Sequence, residues 1–185
     1  MKTIVLIRHG QSTFNEHYER TGQDPGHVDA RLTALGQQQA RQAREELAAT
    51  EFDIVVSSPL TRAIQTTHAI FGHRDLPVHV TCRHREKLES SCDIGRSPLH
   101  LKEEFPHLDF DHLDDPWWHH EPAVSAPFAV EPLHLFETRV IAFKDWLHAH
   151  EAQRIAVVGH GTFFHALTGD WMRNCEVKRW APARS

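Results

Sequence analysis

Three short stretches carry the side chains best suited to chemistry. Arg8-His9-Gly10 follows the run TIVLI, Ser57-Ser58-Pro59 follows FDIVV with Arg62 shortly beyond, and Gly159-His160-Gly161 follows RIAVV. Arginine presents a planar fork of donors that matches phosphate oxygens and stays protonated at any working pH. Imidazole titrates near neutrality, so it can add positive charge beside the arginines. Two arginines and two histidines placed together repel one another unless an anion is to be bound. If the three strands are neighbours, these groups form a dense positive pocket suited to phosphate, aided by backbone N–H groups at helix starts. The flanking glycines remove bulk, which lets a ligand approach the backbone closely.

Placing the groups together is the task of the surrounding elements. Residues 3–7 read as a buried strand, 33–49 as a helix capped by Thr33 or the preceding loop, and 52–57 as a second strand. Pro59 stands where the next helix begins, and Leu60, Ala63, Ile64, Thr67 and Ile70 give that helix an apolar face. A short strand is predicted at 77–80, a helix at 131–150, a strand at 154–161, a helix at 162–172 and a last short strand near 174–180. Aliphatic strands alternating with helices predict an α/β three-layer αβα sandwich with a mostly parallel central sheet. In such sheets ligands bind beyond the carboxyl ends of the strands, where all three motifs fall. Between them, residues 83–130 are rich in proline, hold the acidic run DFDHLDDP and the pair Trp117-Trp118, and show one short helix near 98–105. They are predicted to form an irregular insertion, a candidate lid, within a single domain spanning 1–185.

Composition narrows the function classes. The 185 residues include 40% hydrophobic residues, enough for one soluble domain with its own core. A net charge of −5 without a basic stripe argues against nucleic-acid binding. No apolar run is long enough for a signal peptide or a membrane span, which predicts a cytosolic protein. Cys82, Cys92 and Cys175 lack any C-x-x-C spacing and read as free thiols. The seventeen histidines are scattered without an H-E-x-x-H pattern, so no metal site is predicted among them.

The ordered set RHGQSTFNE, DARLTALGQQQA, SSPLTRAIQT, REKL and VVGHGTF resembles the histidine phosphatase superfamily, the phosphoglycerate mutase-like enzymes, over nearly the whole chain. The resemblance implies a metal-independent phosphatase that needs no cofactor and acts through a phosphohistidine on His9. Arg8, Arg62 and His160 would grip the phosphoryl oxygens, with Gly161 beside them. Glu86 in HREKLE would be the proton donor, with Glu89 as the competing carboxyl. Asn15, and Ser12 with it, would extend the phosphate contacts, although polar residues of this kind also close turns. The partners expected are a small-molecule phosphomonoester and inorganic phosphate. A cofactor-dependent mutase and a catalytically idle phospho-ligand or protein-binding module are the alternatives. Many members carry a Gly-(Asp or Glu)-Trp-Glu-Gly-like stretch after the acid, whereas this chain has Cys92-Asp93-Ile94-Gly95. Trp117 and Trp118 would either pack the insertion on the core or cover the organic part of a substrate.

Overall fold

The computed structural model describes residues 2–121 and 128–181. Five strands form one sheet: β1 (Thr3–Arg8), β2 (Ile54–Ser57), β3 (Val78–Val80), β4 (Arg154–Gly159) and β5 (Val177–Trp180), in the order β3-β2-β4-β1-β5. The first four are parallel, and β5 runs antiparallel against β1. Between and after them lie α1 (Thr13–Thr21), α2 (Ala34–Glu46), α3 (Thr61–Phe71), α4 (Pro98–Glu104), α5 (Leu133–Ala149) and α6 (Gly161–Thr168).

Alternation along the strands sorts the aliphatic residues onto two faces. Val5, Ile7, Val55, Ala156 and Val158 pack with Ala40, Ala43 and Leu47 of α2 and its end and with Ala63, Ile70 and Phe71 of α3. Ile4, Leu6, Val56, Ile155 and Val157 pack with Phe136, Val140, Phe143 and Leu147 of α5 and Phe163 and Phe164 of α6. The predicted three-layer sandwich is therefore present, because strands apolar on both faces require a helical layer on each.

Three expectations change. Residues 13–21, to which the sequence pattern assigns no element, form α1, capped by Ser12 with Asn15 closing a reciprocal capping box and ended by Gly22 at φ 67°. The segment buries only Phe14, so helical periodicity leaves almost no trace in its sequence. The helix predicted to run to 172 stops at Thr168, where Gly169 adopts φ 85°. The insertion is not one lid. Leu101, Phe110 and Trp117 join Leu60, Ile64 and Val80 in a third buried cluster against α3, while Glu86, Lys87, Glu89, Ser90, Cys92 and Asp93 gather around Arg8 and His9. Residues 122–127 of the predicted lid lie outside the described residues.

Candidate active site

The β1–β4 and β4–β2 pairings bring the three motifs to one edge. Arg8 closes β1 and pairs with Gly159 at the end of β4, so His9 and His160 leave the sheet side by side. Their rings stand 5.3 Å apart, centroid to centroid, tilted by 58°. Arg62 lies in the first turn of α3, whose start is capped by the buried carboxylate of Asp29 accepting from Thr61 N at 2.8 Å. Gly10 is pressed against α2: a Cβ on Gly10 would sit 2.5 Å from Gly36 O, and one on Gly36 would sit 2.1 Å from Gln11 O. Both positions require the absence of a side chain for α2 to meet the loop that carries His9.

The His9 ring is buried, and its Nδ1 lies 2.7 Å from Gly10 O. A carbonyl only accepts, so that nitrogen carries the proton. Nε2 is left with its lone pair and accepts from Arg62 Nε at 3.2 Å. Burial first, then Arg62 and Arg8, hold the imidazole pKa well below its ordinary 6.5. His160 is lowered in the same way by burial, Arg62 and His9, and its Nε2 lies 2.7 Å from Ser58 Oγ. This corrects the picture of four cations: both imidazoles are neutral, and the fixed positive charge belongs to Arg8 and Arg62.

Arg62 is buried and donates Nη2 to Asp93 Oδ1 at 2.9 Å and Nη1 to Cys92 O. Burial alone would lower its pKa, yet the acidic groups around it, Asp93 among them, raise it. Arg8 donates Nη1 to Met172 O at 2.7 Å, and its buried Nε meets no partner among the described residues. Each guanidinium keeps donors for an incoming anion, because five N–H groups are available and fewer are used.

Glu86 faces this group from the irregular segment after β3. Its Oε2 accepts from Thr162 N at 3.0 Å, and its Oε1 accepts from Phe163 N at 2.9 Å. The carboxyl therefore occupies the start of α6, where a helix dipole favours negative charge. Burial, then Asp93, nevertheless raises its pKa above 4.5. Glu89 lies at the rim, 47% exposed and paired with Lys87. Of the two carboxyls weighed from sequence, Glu86 is the one held inside.

Arg8, His9, Arg62, Glu86, Gly161 and Trp171 are among the residues that line a cleft of about 170 Å³, whereas His160, fully buried, is not in its wall. Asn15 also lines it, but its side-chain oxygen accepts from Ser12 N and Oγ, so that atom is committed to capping α1. Trp117 and Trp118 are not in its wall. Trp117 packs where Gly95 leaves room and donates Nε1 to Arg96 O at 2.8 Å. Among the described residues, Phe14 and Trp171 bring aromatic side chains to the cleft, Trp171 being 65% exposed and stacked on His165 at 4.2 Å. Trp171 lies within the stretch read as the end of a helix, and Asp93 within the stretch that departs from the family pattern. Neither had a periodic signal to reveal it. His84, equally buried, is structural: it stacks on Phe143, its Nε2 meets Val158 O at 3.0 Å, and burial pushes its pKa down to about 3.

Among the described residues, no group of three or more His, Cys, Asp or Glu side chains is arranged to hold a metal ion. No described helix is long and apolar enough to cross a membrane.

Comparison with known proteins points the same way. The sequence model of the histidine phosphatase superfamily (branch 1) matches residues 4–183. A glucosyl-3-phosphoglycerate phosphatase of Mycolicibacterium vanbaalenii is 30% identical over 169 residues, which cover 91% of this chain and 73% of the relative. A 2,3-bisphosphoglycerate-dependent phosphoglycerate mutase of Tropheryma whipplei is 29% identical over 190 residues, covering 90% and 81%. The solved structure of Bacillus stearothermophilus YhfR is similar with a TM-score of 0.64 at 25% identity, covering 97% of this chain and 90% of that one.

Proposed function

The chain belongs to the histidine phosphatase superfamily, and from that premise we propose that it hydrolyses small phosphomonoesters without a metal ion, His9 carrying the phosphoryl group between two displacements. The observation that carries this reading is the His9 tautomer. With Nδ1–H on Gly10 O, Nε2 is the unprotonated nitrogen, its lone pair held by Arg62 Nε until a phosphoryl group takes over that donor, in a ring kept neutral by burial and two guanidinium groups.

In the first displacement the His9 Nε2–P bond forms as the P–O bond to the alcohol breaks. Glu86, its pKa raised, gives its proton to the departing oxygen. In the second, water attacks phosphorus as the N–P bond breaks, the ionised Glu86 takes a proton from that water, and inorganic phosphate leaves. Arg8, Arg62 and His160 stabilise the charge spread over the equatorial oxygens, and Gly161 lets the ester approach the start of α6. Binding a dianion beside His160 offsets the two guanidinium charges, so the ring becomes a better donor once substrate arrives. The small cleft suits a compact alcohol portion, and Lys87, Glu89 and Trp171 are placed to meet it.

Incubation with an aryl phosphate and with 3-phosphoglycerate in excess chelator tests this. Release of inorganic phosphate, its loss in His9→Ala and an acid-labile phosphoryl adduct on wild type are the expected results. Conversion of 3-phosphoglycerate to its isomer without phosphate release would instead identify a mutase, and activity abolished by chelator would refute metal independence.

A further inference from the structure

Arg139 lies on α5, outside the cleft, and the two displacements give it no task. Its side chain is nevertheless only 12% exposed and heavily engaged. Nη1 donates to Arg85 O at 2.7 Å and to Arg83 O at 3.3 Å, and Nη2 reaches Glu86 O at 3.5 Å. Nε and Nη2 clamp the carboxylate of Glu131 at 3.1 and 2.6 Å. The Arg139 Cζ also stands 5.3 Å from the centre of the Phe163 ring. Phe163 is the residue whose N–H holds Glu86 Oε1. Arg139 thus bears on Glu86 from two sides, through the main chain that carries it and through the helix start that receives its carboxyl.

Glu131 is 2% exposed and completes the arrangement. It accepts from Arg85 Nη2 at 2.9 Å as well as from Arg139, and its own N–H donates to Leu88 O at 2.9 Å. One buried carboxylate lies between two guanidinium groups. Burial, then Arg139, lowers the Arg85 pKa to about 10. Such clusters are a poor source of stability, since apolar residues of the same volume commonly do as well or better. Fixed geometry is the return this cluster gives, and the segment it fixes is 83–88.

We propose that Arg139 and Glu131 are positioning residues that hold the Glu86 carboxyl at proton-transfer distance from the departing oxygen. The inference rests on the role of Glu86 as proton donor, and the experiment separates the two. Benzyl phosphate leaves as an alkoxide that needs a proton, whereas p-nitrophenyl phosphate leaves as a stable phenolate that does not. The quantity read is kcat/KM, which reports only the steps through the first displacement.

For Glu86→Gln, Arg139→Ala and Glu131→Gln, kcat/KM on benzyl phosphate should fall by about tenfold to several hundredfold, while p-nitrophenyl phosphate stays within about threefold of wild type. Inhibition by inorganic phosphate should not change. Arg139→Lys keeps the charge without the fork and should fall between wild type and Arg139→Ala on benzyl phosphate. Equal loss on both esters, or no loss, in Arg139→Ala and Glu131→Gln while Glu86→Gln keeps its split would overturn the positioning role. No split in Glu86→Gln would overturn the proton-donor role itself. If Arg139→Ala fails to fold, Arg139→Lys and Glu131→Gln give the same decision.

Discussion

The two halves of the candidate site are built by different means. Arg8, His9, Arg62 and His160 stand at the ends of hydrogen-bonded parallel strands or in the first turn of the helix that follows. Glu86, Asp93 and Trp171 come from segments with little regular structure, held by side chains that reach backbone groups. The inner half inherits its geometry from the sheet, and the outer half owes its own to capping contacts and buried ion pairs. The difference teaches where each half should be sensitive: the inner to loss of a chemical group, the outer to loss of whatever holds the group in place.

The largest effect tests the inner half. His9→Ala should reduce turnover by about 10⁴-fold or more, since removal of a nucleophile leaves only binding and electrostatic assistance. Steady-state rates with an aryl phosphate check it, and a loss below tenfold would place the nucleophile elsewhere. Arg62→Ala should follow at about 10²- to 10³-fold in kcat. It also leaves Asp93 buried without its partner, a destabilisation of about 3 to 5 kcal/mol that a denaturant titration would read. If Arg62→Ala costs activity but no stability, the link between the halves through Asp93 is wrong.

The pH profile of kcat/KM divides the halves more finely. As the proposed nucleophile His9 must be neutral, and its pKa is depressed, so the acid limb should lie below the ordinary imidazole value of 6.5. As the proposed proton donor Glu86 must be protonated, and its pKa is raised, so the alkaline limb should lie above the ordinary 4.5. Each limb falls about tenfold per pH unit. Asp93 raises the Glu86 pKa, so Asp93→Asn should move the alkaline limb toward lower pH and narrow the profile from that side. A shift to higher pH would contradict this assignment. Smallest of all, Trp171→Ala should change KM for aromatic esters by about threefold to tenfold, with inhibition by inorganic phosphate unchanged. Trp117→Ala, buried beside Gly95, should appear in thermal stability rather than in the ranking of substrates.

The same division explains what the sequence reveals. TIVLI, IVV and IAVV announce buried parallel strands because both faces are covered, and the reactive residues follow them directly, so sheet, order of elements and inner half are legible together. Thr33 as the cap of α2 and the apolar face of α3 are legible for the same local reasons. The outer half is not. Asp93 is paired with Arg62 across 31 positions, and Glu131 with Arg85 across 46. Nothing in the local sequence distinguishes such carboxylates from solvated ones. Trp117 and Trp171 show the limit most clearly: a conspicuous Trp-Trp pair packs the fold, whereas a solitary tryptophan beyond a helix end stands at the cleft.

The alignment of Arg8 with Gly159 makes the sheet a ruler. Parallel strands hold a fixed interval of about 4.8 Å, and residues along each strand alternate between faces. The offset between the His9 and His160 rings can therefore change only in whole-residue jumps, and a jump of one turns a side chain to the opposite face. Fine adjustment of the inner half is closed to gradual mutation. Diversification toward new alcohols is left to the surrounding loops, which can lengthen, shorten or exchange residues while the reacting atoms keep their separation.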